Sequence, residues 1–237
     1  MTIKKQSEAT TYVFTPPARV SIPVQGSDAQ FPVHRVYCVG RNYADHVAEM
    51  GGDPKSEPPV FFSKPATALV TGGEAVRYPQ ATQDLHHEVE LVVTLSDGGR
   101  DLSLEQAAAN VYGYAVGIDF TRRDLQAVAK KHGRPWDTAK GFDQSAPISE
   151  ITPAMDAPLS GDTRITLHVN GELRQEAVLG QMIWSVAEII AQLSQLFELR
   201  AGDVIYTGTP AGVAAVDRGD TLHAEIDGLT ALTFDIV

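Results

Sequence analysis

Apolar and polar residues alternate in short runs for most of this chain, and glycine or asparagine separates the runs, the period-two pattern of strands. Strands are predicted at Val36–Val39, Val60–Phe62, Val89–Leu95, Tyr112–Ile118, Ile165–Val169, Val204–Tyr206 and Ala231–Ile236. Asp97-Gly98-Gly99 and Asn170-Gly171 supply residues that tolerate positive φ, and the second reads as a two-residue hairpin loop. Helical spacing is clearest from Ser185 to Phe197, where Val186, Ile189, Ile190, Leu193 and Phe197 form a stripe and Ser185 with Glu188 makes a capping box. A second helix is predicted after Asp119, with Thr121 as N-cap and Gly133 as its end, and a short third from Tyr43 to Met50. The pattern implies an α+β fold around a mixed or antiparallel sheet.

No repeat, linker or low-complexity tract divides the chain, so residues 31–237 read as one domain. Residues 1–30, with Pro16, Pro17 and Pro23, read as an arm or short strands laid over it. At 237 residues and 43% hydrophobic, the chain can bury a full core. Thirty acidic against 19 basic residues give a net charge of -11, which argues against nucleic acid and anionic membrane surfaces as partners. An anionic substrate then needs a local positive trap, a metal ion or gathered basic residues. No apolar run of membrane length occurs, and the single cysteine, Cys38, sits in a strand-like run; a reducing cytoplasm is the expected location.

Candidate chemistry begins at His86-His87-Glu88-Val89-Glu90, because strand periodicity sends Val89, Leu91, Val93 and Leu95 to one face and both glutamates to the other. Side by side, two carboxylates repel; a hard cation relieves this, and Asp119, at the end of an apolar strand, is a candidate third oxygen ligand. Taken alone, Glu88 and Glu90 also suit a solvated edge strand, and Asp119 a helix cap. His46 and Glu49 are three apart on the short predicted helix, the spacing of a base with its orienting carboxylate or of a surface pair. Lys64, Lys140 and Arg123 are cations among apolar or small residues, either site groups or snorkelling surface chains. Thr207-Gly208-Thr209-Pro210-Ala211-Gly212 lacks the ending of a phosphate loop, although its amides can cradle a carboxylate.

The segments VGRNYADHVAEM, FFSKPATAL, DLHHEVELVV, GYAVGIDFTRRDLQ, GRPWDTAKGFDQSAP, VNGELRQ and GDVIYTGTPAGV, in that order, resemble the fumarylacetoacetate hydrolase family, and within it the short acylpyruvate hydrolases that cleave fumarylpyruvate. The resemblance implies a mixed β-sandwich roll with flanking helices, usually a homodimer. It implies metal ligation by Glu88, Glu90 and Asp119, with Mg²⁺ first and Mn²⁺ or Ca²⁺ as alternatives. It also implies water activation by His46 with Glu49, Lys140 and Gln126 near the substrate, and Arg123, Thr209 and Lys64 around the pyruvyl pocket. The expected reaction is hydrolysis of the carbon–carbon bond of a small anionic keto acid, fumarylpyruvate, in aromatic-compound catabolism of the gentisate type. Arg122 is a hint of a second substrate carboxylate. The rival reading keeps the metal site but decarboxylates oxaloacetate or interconverts its keto and enol forms, which needs no attacking water; a non-catalytic dicarboxylate- or metal-binding protein is a remote third.

Overall fold

The computed structural model describes residues 11–43 and 58–237. All seven predicted strands form, and the architecture is α+β. Six strands make a mixed sheet in the order Thr152–Pro153, Val111–Ile118, Val89–Leu95, Val204–Tyr206, Val36–Gly40, Val60–Lys64. Within it Val204–Tyr206 runs parallel to Val36–Gly40 and antiparallel to Val89–Leu95. Strands Glu172–Val178, Arg164–Val169, Thr221–Ile226 and Leu232–Asp235 form a second sheet, antiparallel throughout.

The sheets face each other across a core to which Leu91, Val93 and Val116 contribute from one side and Leu167, Leu222 and Phe234 from the other. Val89–Leu95 and Arg164–Val169 therefore spend alternate residues on that core, as the period of two demands. The far face of the six-stranded sheet carries Cys38, Val92, Ala115 and Tyr206, and is covered by Ile22, Phe31, Ile148 and Ile151. Ile22 and Phe31 belong to an antiparallel hairpin of Ser21–Pro23 with Gln30–Pro32.

Asn170 and Gly171 adopt φ of 53° and 81° between Arg164–Val169 and Glu172–Val178, the hairpin loop read from the sequence. The Val186–Leu196 helix begins at Ser185 with both bonds of its capping box and buries Ile189, Ile190 and Leu193. A helix at Leu104–Ala109 was not anticipated, although Ser103 and Gln106 form a capping box at its start that the sequence displays.

Two expectations need correction. Thr121 is not an N-cap: Thr121–Arg122 pairs as a strand with Leu85–His86, so the helix starts only at Arg123 and runs to Lys131. Tyr43, the predicted start of the short helix, instead forms a β-bridge with Met182, and the rest of that helix lies outside the described residues.

Candidate functional site

Glu88 directly precedes the Val89–Leu95 strand, which is an interior strand of its sheet and not an edge. Its neighbour pairs Val89 with Ile118, so Asp119 lies opposite Glu88, and the Asp119 amide donates to the Glu88 carbonyl at 2.8 Å. The alternation that sends Leu91 and Val93 into the core turns Glu90 to the same side as these two. Carboxylate oxygens of Glu88, Glu90 and Asp119 consequently lie within 4.8 Å of one another, all buried. Solvated-edge and helix-cap readings of these residues do not survive this burial.

Three cations answer the three carboxylates. Lys140 Nζ donates to Asp119 Oδ2 at 2.6 Å and to Glu88 Oε2 at 2.8 Å. Arg123 Nη2 donates to Glu88 Oε1 at 2.5 Å, and its Nη1 to Gln126 Oε1 at 2.6 Å. Lys64 Nζ stands 2.8 Å from Asp119 Oδ1 and donates to the carbonyls of Phe120 and Lys140. At 3% and 2% exposure, Lys64 and Lys140 are buried beside the carboxylates and are not snorkelling surface chains. Burial works against the Lys140 ammonium, yet the adjacent Asp119 and Glu88 outweigh it and hold its pKa up at about 12.

Glu90 has the least compensation. Burial, then the charges of Asp119 and Glu88, push its carboxyl well above the usual carboxylate range, and Lys140 and the Gly208 amide offset only part of this. That amide donates to Glu90 Oε2 at 2.7 Å, so the glycine loop does cradle a carboxylate, one belonging to the protein. Thr121 donates from its hydroxyl to Glu88 Oε1 at 3.0 Å, which is what it does in place of capping.

A cluster of hard oxygen donors this acidic suits Mg²⁺ or Mn²⁺. Two details fit an ion. Asp119 Oδ1 is buried and, despite the nearby Lys64, receives no directed hydrogen bond from the described residues, which leaves a lone pair to offer. Glu90, short of positive partners, would gain most from a cation.

A narrow recess of about 20 Å³ reaches two of the three carboxylates, walled by Glu88, Glu90, Arg123, Gln126, Lys140 and Thr209. Its rim adds Arg41, Phe62, Lys130 and Trp136, of which sequence reasoning assigned none to the site. Arg41 has φ of 64°, an unusual backbone for a residue with a side chain and one that concentrates at functional sites. A larger cavity of about 690 Å³ shares Phe62, Trp136 and Lys140 but follows the Val60–Lys64 edge strand, and no carboxylate of the triad lines it. Of the two, the recess is the candidate site, because Glu88 and Glu90 line it.

The structure thus gathers Glu88, Glu90, Asp119, Lys64, Lys140, Arg123, Gln126 and Thr209 in one place. His46 and Glu49 lie outside the described residues. Arg122 does not line the recess; it donates to the Thr138 carbonyl at 3.1 Å and stacks over Phe142. Residues missed in sequence include Asn42, whose side chain bonds Trp184 and Thr207, and Gln175, which bonds Thr209.

Residues 35–237 match the family model described as fumarylacetoacetate (FAA) hydrolase C-terminal. The mitochondrial oxaloacetate tautomerase of Rattus norvegicus is 46% identical over 85% of this chain and 90% of its own length. A fumarylpyruvate hydrolase of Ralstonia sp is 42% identical over 78% of this chain and 95% of its own. Fumarylpyruvate hydrolase from Pseudomonas aeruginosa, crystallised with Mn²⁺ and pyruvate, superposes with a TM-score of 0.93 at 50% identity, covering 96% of this chain and 99% of that one. With the family model spanning most of the chain and relatives this similar along nearly their whole lengths, the protein belongs to the fumarylacetoacetate hydrolase family and is an enzyme of that family.

Proposed function

We propose that the protein is a divalent-metal-dependent hydrolase that cleaves an acylpyruvate, with fumarylpyruvate and water giving fumarate and pyruvate. The observation that carries this reading is the buried triad of Glu88, Glu90 and Asp119, two of whose carboxylates, Glu88 and Glu90, line a recess shared with Arg123, Gln126, Lys140 and Thr209. Oxygen donors of one charge suit a divalent ion, and flanking cations and amides suit a keto-acid carboxylate. The Mn²⁺ and pyruvate held by the Pseudomonas aeruginosa hydrolase support the same assignment.

In this scheme Glu88, Glu90 and Asp119 hold Mg²⁺ or Mn²⁺, whose contribution is Lewis-acid polarisation of the 2-oxo group. Arg123 and Thr209 fix the pyruvyl carboxylate, and Gln126, held by Arg123, borders the chain beyond it. His46, oriented by Glu49, takes a proton from water, and the resulting hydroxide adds to the distal carbonyl carbon. The bond from that carbon to the methylene breaks, its electron pair becoming the enolate of pyruvate. Lys140 delivers a proton to the methylene carbon, and the carboxylic acid and pyruvate depart. Arg41 and Lys130 at the rim give the second carboxylate of fumarylpyruvate a positive border.

The second reading, tautomerisation of oxaloacetate, rests on the 46% identity to the rat tautomerase. It uses the same floor and rim but no hydrolytic water. Purified protein should be incubated with Mg²⁺ or Mn²⁺ and, separately, fumarylpyruvate, acetylpyruvate and oxaloacetate, following enol absorbance and pyruvate, with EDTA controls. Preferred, EDTA-sensitive formation of fumarate supports hydrolysis. Enol–keto conversion of oxaloacetate without acylpyruvate cleavage would replace it with the tautomerase reading.

A further inference from the structure

Strand Glu172–Val178 breaks the polarity rule of a sheet. Leu173 on it is 49% exposed, whereas Gln175 is 1% exposed. A register shift explains how: Leu167 pairs with Gln175 but His168 with Leu173, leaving Arg174 as a bulged residue. Bulges re-aim side chains, and a buried amide where an apolar residue would pack more cheaply marks a place where function overrides patterning.

The amide of Gln175 is fully used. Its Oε1 accepts from the Val89 amide at 3.1 Å and lies 2.9 Å from His87 Nδ1. Its Nε2 donates to the Thr209 hydroxyl oxygen at 2.8 Å and to the Pro210 carbonyl at 2.9 Å. Both ends agree on the orientation, since an amide N–H can only donate and a carbonyl can only accept. Thr209 Oγ1 therefore accepts a hydrogen bond from Gln175, and its own O–H remains to be donated elsewhere. Thr209 is 3% exposed and lines the recess beside Arg123 and Lys140. Among the described residues no group accepts that O–H.

We infer that Gln175 is a positioning residue: by donating to Thr209 Oγ1 it commits the Thr209 hydroxyl proton to the carboxylate of the keto-acid substrate. The same side chain ties the start of the Val89–Leu95 strand, which presents Glu88 and Glu90, to the loop that carries Thr209. Carboxylate recognition and the triad are thus held by one amide. The inference rests on the proposal that the recess binds a carboxylate.

The test is oxalate binding in the presence of Mn²⁺, measured by calorimetry for the unaltered protein, Gln175→Glu, Thr209→Val, Thr209→Ser and the double variant Gln175→Glu/Thr209→Val. In Gln175→Glu the two N–H donors at Oε1 favour the ionised form, and the second oxygen then accepts from Thr209, reversing its hydroxyl. Oxalate Kd should rise about tenfold or more in Gln175→Glu and in Thr209→Val, the effect of one lost hydrogen bond to a charged group. Thr209→Ser should bind almost normally, the double variant should be no weaker than Thr209→Val, and KM should move more than kcat. Unchanged oxalate affinity in Gln175→Glu, or additive losses in the double variant, would overturn the role of Gln175. No oxalate binding by the unaltered protein would instead overturn the carboxylate-site proposal itself. If Gln175→Glu does not fold, a crystal structure of the unaltered protein with Mn²⁺ and oxalate decides. Thr209 Oγ1 within about 3 Å of an oxalate oxygen while still bonded to Gln175 supports the inference, and a Thr209 turned away from oxalate overturns it.

Discussion

Alanine at Gly208 probes how the loop after Val204–Tyr206 holds the metal-site carboxylates. Gly208 has φ of +100°, and a Cβ there would sit 2.7 Å from Asn42 Cβ and 3.1 Å from the Val39 carbonyl. Asn42 has no room to yield, because its side chain donates to the carbonyls of Trp184 at 3.0 Å and Thr207 at 2.8 Å and accepts from the Trp184 amide at 2.7 Å. If the loop keeps its shape, the positive φ costs roughly 1–3 kcal/mol and the forced contact a similar amount. If it relaxes by turning the 207–208 peptide, the amide leaves Glu90 and a charge-assisted hydrogen bond of about 1.5–3 kcal/mol is lost. We expect a mixture, with a stability loss of about 3 kcal/mol and a fall in melting temperature of roughly 6–12 °C. Mn²⁺ affinity should weaken about tenfold, the equivalent of about 1.4 kcal/mol. Thermal melts in EDTA and calorimetric titration with Mn²⁺ read both quantities. A melting temperature within about 2 °C of the parent, together with unchanged Mn²⁺ affinity, would refute the coupling between loop shape and Glu90.

Mn²⁺ or Mg²⁺ should raise the melting temperature progressively with concentration, by about 2.7 kcal/mol or roughly 5–11 °C at one hundred times Kd. Glu90→Gln should abolish most of this rise, and a variant with the parental response would remove Glu90 from the ligand set. Lys140→Met should cost about 3–5 kcal/mol in metal-free protein, because Glu88 and Asp119 lose a buried partner. Saturating Mn²⁺ should recover much of that loss, and equal melting temperatures of variant and parent in EDTA would contradict the account. Cys38 is 0% exposed, and burial, then the charge of Asp119, raises its thiol well above the usual range. A thiol-specific disulfide reagent should therefore leave the native protein unlabelled and label it once guanidinium unfolds it; rapid labelling of the native state would show that the strand around Cys38 opens.

Local pattern reveals much of this fold, although the equally local Ser103–Gln106 capping box that opens the Leu104–Ala109 helix was passed over. The period of two in Val89–Leu95 separates Leu91 from Glu90, Asn170-Gly171 marks a turn, and Ser185 with Glu188 starts a helix, each within a few residues. The groups that finish the site depend on long-range contacts. Gly208 meets Glu90 across 118 residues and Lys64 meets the Lys140 carbonyl across 76, separations at which one sequence carries no local signal. Thr121 looks like a cap because a polar residue before a helical stripe usually is one; pairing with Leu85–His86 prevents it. Nothing in the local pattern singles out Gln175, since the bulge beside it arises from the partner strand's register. The family resemblance supplied what periodicity could not, placing Lys140, Gln126 and Thr209 at a common site.

The four residues Thr207–Pro210 touch Leu91, Asn42, Glu90 and Gln175, one contact or more apiece. A segment committed in so many directions has little freedom to drift, because each replacement disturbs partners on several strands at once. Altered substrate preference in this scaffold should therefore come from the rim, where Phe62, Lys130 and Trp136 surround the entrance without contributing to the triad. An engineer seeking a new acyl group would randomise those three positions and leave the floor alone.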